Sequence, residues 1–196
     1  IVLDLNHVEP ASDRSEDVAA ARRWDGCQNR WYLEPVFKGR YPDDMLTLYG
    51  ADVPTILPGD LEQIAAPLDY LGVNYYRRSV AGAGTDLPPI NWQRQRPAGE
   101  CTEMGWEVSP HGLYDILKIV WDGYHPRAMY VTENGAAFAD AVAPDGLVHD
   151  PQRVRYLRAH FEQARRPLAD GVPLKGYFVW SLLDNFEWAE GYRQRF

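Results

Sequence analysis

The chain has 196 residues, 20 Lys and Arg against 28 Asp and Glu for a formal net charge of −8, 45% hydrophobic and 24% charged residues. That length supplies a sizeable core, the composition excludes a disordered chain, and the negative charge argues against nucleic acid and anionic membrane as partners. No apolar run approaches the ~18 residues that cross a bilayer, and Cys27 and Cys101 are too few for a disulfide scaffold or a Cys-rich zinc site.

In chain order, Ile1–Leu5 reads as a strand. Ser15 can cap a helix carrying Val18, Ala19 and Arg22, with Glu16 and Asp17 favourably placed in its first turn. Residues 31–58, punctuated by Pro35, Gly39, Pro42, Gly50, Pro54 and Pro58, read as turns. Asp60 opens a short helix through Leu61 and Gln63. Leu68–Tyr76 is the second strand, and the Gly-, Pro- and Asn-rich stretch 80–105 reads as a long loop. Ser109-Pro110 then starts a helix whose apolar face is Leu113, Ile116, Leu117 and Val120. Ala128–Thr132 is a third strand. Asp150-Pro151 starts a helix with the stripe Val154, Leu157, Phe161, Ala164 and Leu168, kinked at Pro167 and ended by Gly171. Gly176–Trp180 is the fourth strand, followed by a loop to Phe196.

Strands alternating with helices imply an α/β fold with a parallel sheet and right-handed crossovers. Four such units are half of a (β/α)8 barrel; a small doubly wound sheet is the alternative. No Gly-rich phosphate loop follows a strand, which counts against dinucleotide binding.

The chemistry-bearing residues gather at the C-terminal ends of the strands, where parallel α/β folds bind ligands. Asn74, Tyr75 and Tyr76 close the second strand, Glu133 and Asn134 the third, and Trp180 to Trp188 follow the fourth. In Thr-Glu-Asn-Gly, Glu133 is a carboxylate at a strand end beside a glycine that allows a tight turn; capping that turn is its plain alternative role. With 7 Trp, 12 Tyr and 6 Phe, aromatics are abundant, and several adjoin polar residues. A sugar presents hydroxyls at its edge and a C–H face to an aromatic ring, so carboxylates and amides beside Trp or Tyr suit it. The run Trp180–Trp188 fits that description; a hydrophobic plug over the barrel end, with Glu187 in a salt bridge, is the lesser alternative.

Leu71-Gly-Val-Asn-Tyr-Tyr76, Met104-Gly-Trp-Glu-Val108, Tyr130-Val-Thr-Glu-Asn-Gly135 and Trp180-Ser-Leu-Leu-Asp-Asn-Phe-Glu-Trp188 resemble family 1 glycoside hydrolases, the β-glucosidase family. So do Asn29-Arg-Trp31 and Gly39-Arg-Tyr-Pro42, and the matches run along residues 1–196 in the family's order. The resemblance implies a (β/α)8 TIM barrel, with this chain covering roughly strands five to eight as the C-terminal half of a single catalytic domain. It implies a retaining mechanism in which Glu133 is the nucleophile and Tyr76 holds it by a hydrogen bond. Asn74 joins that network, Trp180 is the sugar platform, and Glu187 and Trp188 bind hydroxyls. Phe196 closes the pocket near the sugar's C6, and Trp106 lines the leaving-group side. Asp4 lines that side too, where the family commonly has Asn, and Glu103 stands where Asp is usual.

The resemblance also marks a gap. The family's acid/base lies in an Asn-Glu-Pro motif, and neither Val8-Glu9-Pro10 nor Leu33-Glu34-Pro35 matches it. The expected partners are therefore a β-glucoside or short β-linked oligosaccharide and the missing N-terminal half of the barrel, with no cofactor and no metal. A half barrel should expose edge strands near Ile1–Leu5 and Gly176–Trp180. The implied location is the cytoplasm. The competing reading is a non-catalytic carbohydrate-binding module on the same fold. A metal-dependent hydrolase is weaker, because His7, His111, His125, His149 and His160 show no ligand spacing.

Overall fold

A computed structural model describes all 196 residues. Its strands are β1 (Val2–Asp4), β2 (His7–Pro10), β3 (Leu71–Asn74), β4 (Arg78–Asp86), β5 (Trp92–Arg94), β6 (Met129–Asn134) and β7 (Leu174–Val179). Its helices are α1 (Ser15–Asp25), α2 (Trp31–Lys38), α3 (Asp43–Tyr49), α4 (Asp60–Ile64), α5 (Pro110–Tyr124) and α6 (Pro151–Ala169). A π-turn over Gly26–Arg30 joins α1 to α2.

The main sheet has the order β1-β3-β6-β7, all parallel. One face carries Leu71, Val73, Tyr75, Met129 and Val131, buried against Leu113, Ile116, Leu117 and Val120 of α5 and Ala164 of α6. Each such side chain contributes about 1.5–3 kcal/mol by leaving water, so this layer fixes the helices to the sheet. The other face keeps Val2 and Phe178 exposed. β1 and β7 are the unpaired edges, as the sequence led us to expect. No helix is long and apolar enough to cross a membrane.

Four expectations need correction. The stretch 80–105 is not one long loop: β4 and β5 form an antiparallel pair, and β2 joins them in a second sheet ordered β2-β4-β5. The glycines that make it read as a loop let the strands approach closely, since a Cβ on Gly84 would lie 2.6 Å from that of Gln93. This sheet packs on α1 through Ala20, Ala21, Ala81, Ile90 and Trp92, with Trp24 stacked on Trp92 at 3.9 Å.

Residues 31–58 likewise hold two helices, because their Pro and Gly mark helix ends. Gly39, at φ 63°, closes α2, while Pro42 and Gly50 flank α3. In α1 the buried residues are Asp17, Ala20 and Ala21, with Val18 exposed and no side-chain cap at the start. Asp17 tolerates burial because it accepts bonds from the Ser12 hydroxyl (2.5 Å) and the Ala83 N–H (2.8 Å).

The stripe expected in α6 is also rotated. Tyr156, His160, Ala164 and Pro167 are buried, whereas Val154, Phe161 and Leu168 are exposed, and the helix continues through Pro167 to Ala169. Polar bonds allow the inward face: Tyr156 Oη accepts from Asn134 Nδ2 at 2.9 Å, and His160 Nδ1 donates to the Tyr156 carbonyl at 2.8 Å.

Burial holds the His160 imidazole down at about 4, against an ordinary 6.5. The unfolded chain takes up this proton below about pH 6.5, whereas the folded chain resists it until about pH 4. This contribution is therefore complete above about pH 6.5 and declines as pH falls towards 4, by about 3 kcal/mol in all. The urea midpoint should drop between pH 7 and pH 4.5, and the drop should shrink in His160→Gln. An unchanged drop in the variant would place its origin elsewhere.

Candidate active site

The parallel register lines up the ends of three strands: Asp4 opposite Asn74, and Asn74 opposite Glu133. Strict alternation would set Glu133 on the same side as Val131, facing the helices. Instead the register shifts, pairing Val73 with Val131 but Asn74 with Glu133, so Thr132 is the extra residue of a bulge. The bulge turns Glu133 to the open side with Thr132, whose hydroxyl donates to Asn74 Oδ1 at 2.7 Å. Asn134 then points to the helices, fully buried, donating to the Tyr75 carbonyl (2.7 Å) and Tyr156 Oη and accepting from Tyr177 Oη.

These strand ends and the segment after β7 enclose a cleft of about 570 Å³. Every residue to which the resemblance gave a role lines it, namely Asp4, Asn74, Tyr76, Trp106, Glu133, Trp180, Glu187, Trp188 and Phe196, whereas Tyr75 and Asn134, also at strand ends, are buried away from it. Arg77, Met104, Ala189 and Glu190 line it as well and were not anticipated. For Arg77 a signal existed, since it directly follows Tyr76 at a strand end. A second depression of about 400 Å³, between Gly39 and Ala65, has one ionisable group, Glu62, and no convergent chemistry.

Inside the cleft, Tyr76 Oη donates to Glu133 Oε2 at 2.6 Å. Burial, with the bond to Glu133 and its charge, pushes the Tyr76 phenol well above its usual range, so it stays a proton donor. Tyr76, Trp106 and Phe196 form an aromatic wall with ring centroids 5.3–6.2 Å apart. Trp180 Nε1 donates to Glu187 Oε1 at 3.0 Å, which fixes a buried carboxylate beside an indole. Trp188, 86% exposed, stands at the mouth.

Two anchors outside the cleft hold this geometry. Gly135 passes so close to the end of β7 that a Cβ would lie 1.6 Å from the Trp180 carbonyl oxygen. Arg153 of α6 ties the tail that carries Phe196, bonding the Ala136, Phe138 and Arg195 carbonyls and the carboxylates of Asp140 and Asp150. The site thus offers an oriented carboxylate, a phenol donor on it, and an indole–carboxylate pair across from aromatic walls.

The family model for glycosyl hydrolase family 1 matches residues 1–196. A 1,4-beta-D-glucan glucohydrolase of Thermotoga neapolitana is 47% identical over 199 residues, covering 100% of this chain and 46% of its own. A family 1 β-glucosidase from Thermotoga maritima superposes with a TM-score of 0.94 at 44% identity, covering 100% of this chain and 44% of its own. A β-glucosidase from the same organism in complex with castanospermine gives 0.92 at 44% identity, with the same coverage. The chain spans a little under half the length of the relatives it matches. The strand numbers five to eight are corrected to a bare count of four parallel barrel-type strands: the matches establish the family and the share covered, and do not uphold that numbering.

Proposed function

This chain belongs to glycosyl hydrolase family 1, and on that footing we propose that it carries the nucleophile side of a retaining β-glucosidase site. One observation carries the reading: Glu133 is turned by a bulge into an aromatic cleft and held there by the Tyr76 hydroxyl. A carboxylate so aimed attacks the anomeric carbon of a bound β-glucoside. The bond to the leaving oxygen breaks as the glycosyl ester forms, and water later cleaves that ester. Tyr76 directs one carboxylate oxygen, leaving the other to attack. Trp180 receives the sugar's C–H face, and Glu187, whose Oε1 is bonded to the indole, offers its second oxygen to ring hydroxyls. Asn74 borders the nucleophile, Trp188 and Phe196 bound the sugar, and Trp106 and Asp4 flank the leaving group. The castanospermine held by the solved relative supports a ligand of this size.

A retaining site needs a second carboxyl group about 5–5.5 Å from the first. Asp4 lies two strands from Glu133, about 10 Å at the backbone, and Glu187 is engaged by Trp180. We therefore assign the acid/base to a part of the same catalytic domain outside these 196 residues, consistent with the 44–46% coverage of the relatives. A non-catalytic sugar-binding module would need Trp180, Glu187 and Trp188 but not the Tyr76–Glu133 bond, and that bond favours catalysis.

The test is trapping with 2,4-dinitrophenyl 2-deoxy-2-fluoro-β-glucoside, whose leaving group departs without a proton. The enzyme reconstituted from this chain and the rest of its domain should gain the mass of one fluoroglucosyl group on this chain. Turnover of cellobiose with no trappable adduct would contradict the proposal.

A further inference from the structure

The segment that brings Trp106 to the cleft is a small hairpin. It is closed on itself by the Thr102 N–H on the Trp106 carbonyl at 2.9 Å and the Val108 N–H on the Glu100 carbonyl at 2.8 Å. Those bonds shape it without attaching it to the strands. Attachment comes from the Glu103 N–H on the Ala137 carbonyl at 2.9 Å, the Tyr75 hydroxyl on the Ser109 carbonyl at 2.7 Å, and Arg78. The Arg78 guanidinium grips the Glu107 carboxylate twice, Nε on Oε2 at 2.8 Å and Nη2 on Oε1 at 3.0 Å, while its Nη1 reaches Glu9 of β2 at 2.8 Å. The side chain of Glu107 is 12% exposed and that of Arg78 22%, so the pair is largely shielded from water. A two-pronged bond between guanidinium and carboxylate fixes orientation as well as distance. The Glu107 bonds, opposed by desolvation and aided by Glu9, raise the Arg78 guanidinium above its usual range, so it stays charged.

Both ends of this pair lie next to the residues that hold Glu133. Glu107 directly follows Trp106, and Arg78 stands two residues after Tyr76. The Trp106 ring leans on that of Tyr76 with centroids 5.3 Å apart, and the Tyr76 hydroxyl donates to Glu133 at 2.6 Å. A line of contacts therefore runs from Arg78 through Glu107, Trp106 and Tyr76 to Glu133. Without Arg78, Glu9 would keep His7 at 3.2 Å, whereas Glu107 would lose its one cationic partner. A shielded charge without a counter-ion is costly, and the hairpin relieves it by moving towards water. Trp106 would move with it. Tyr76 would then keep only the Phe196 ring, at 6.0 Å, of the two that hold it.

We propose that Arg78 is a positioning residue for the nucleophile: by fixing Glu107 it seats Trp106 against Tyr76, and so keeps the Tyr76 hydroxyl directed at Glu133. Arg78 itself does not line the cleft. The proposal rests on the glycosidase reading of Glu133 and adds how the orientation of that carboxylate is maintained from outside the cleft.

The experiment uses the enzyme reconstituted from this chain and the rest of its domain, and follows labelling by 2,4-dinitrophenyl 2-deoxy-2-fluoro-β-glucoside. Because that leaving group needs no proton, the limiting rate kinact reports the attack by Glu133. The dissociation constant of deoxynojirimycin separately reports the sugar pocket. Arg78→Met should lower kinact about tenfold, within what a misplacement of about 1 Å costs, and change deoxynojirimycin affinity by less than about threefold. Arg78→Lys keeps the charge but loses the two-pronged grip. Its kinact should fall between, and it carries the test if Arg78→Met does not fold. In a Tyr76→Phe background no hydroxyl is left to direct, so Arg78→Met should lower kinact by no more than a further factor of about two. An unchanged kinact, equal losses of kinact and affinity, or the same loss again on Tyr76→Phe would overturn the assignment and leave the glycosidase reading standing. If the unmutated enzyme takes up no label, the glycosidase reading fails and this one with it.

Discussion

Replacing Glu133 by Ala should lower turnover of β-glucosides on the order of 10⁵-fold, about 7 kcal/mol of barrier. The size follows from what the side chain supplies. Without it, water must attack the anomeric carbon directly, with no oriented anion beneath the sugar and no covalent intermediate to divide the reaction. Tyr76, whose hydroxyl now donates to Glu133 at 2.6 Å, would keep its place through its contacts with Trp106 and Phe196, so the pocket should retain its shape. A small anion such as azide can then occupy the vacated volume and attack from the same face, releasing α-glucosyl azide. Rescue with that stereochemistry separates loss of a nucleophile from loss of structure. An Ala variant retaining more than about 1% of activity would remove Glu133 from the mechanism.

The second large effect is structural. Gly135→Ala should destabilise the chain by about 3 kcal/mol, because the new methyl group meets backbone that has no rotamer to change. The nearest atoms are the Trp180 carbonyl oxygen at 1.6 Å and carbon at 2.7 Å. The same peptide is tied back to β6, since the Trp180 N–H donates to the Asn134 carbonyl at 3.0 Å. Pushing it away displaces Trp180 and with it the Glu187 carboxylate, so sugar affinity should fall alongside the urea midpoint. Gly123→Ala is the control. It lies in α5 with nothing within 4 Å of its Cβ, and there alanine is favoured by up to about 1 kcal/mol. Equal midpoints for the two variants would show that β6 and β7 can separate freely.

How much of this was readable beforehand depended on the kind of signal. The strand ends were legible because polar residues there interrupt short apolar runs, so Asn74, Tyr76, Glu133 and Trp180 announced themselves. The fold class followed from the alternation of such runs with helical stripes, which α5 obeys residue by residue. The direction in which Glu133 points was not legible, because it depends on one extra residue in a bulge whose register is set by the neighbouring strand. The α6 stripe failed for a related reason. Hydrophobicity favoured Val154 and Phe161, whereas the inward face belongs to Tyr156 and His160, whose polar atoms find partners only once the strands are in place. Glycine content hid β4 and β5, because close approach between strands and freedom in a loop call for the same residue. Arg77 was overlooked beside Arg78, though consecutive residues of an extended segment face opposite ways, and the two arginines meet different surroundings.

The central claim is that the Glu133 carboxylate forms the bond to the sugar. Its most direct test is proteolysis of the fluoroglucosyl adduct followed by tandem mass spectrometry of the labelled peptide. The account predicts the added mass on Glu133 within Tyr-Val-Thr-Glu-Asn-Gly; label on Asp4, Glu187 or Glu190 instead would contradict it.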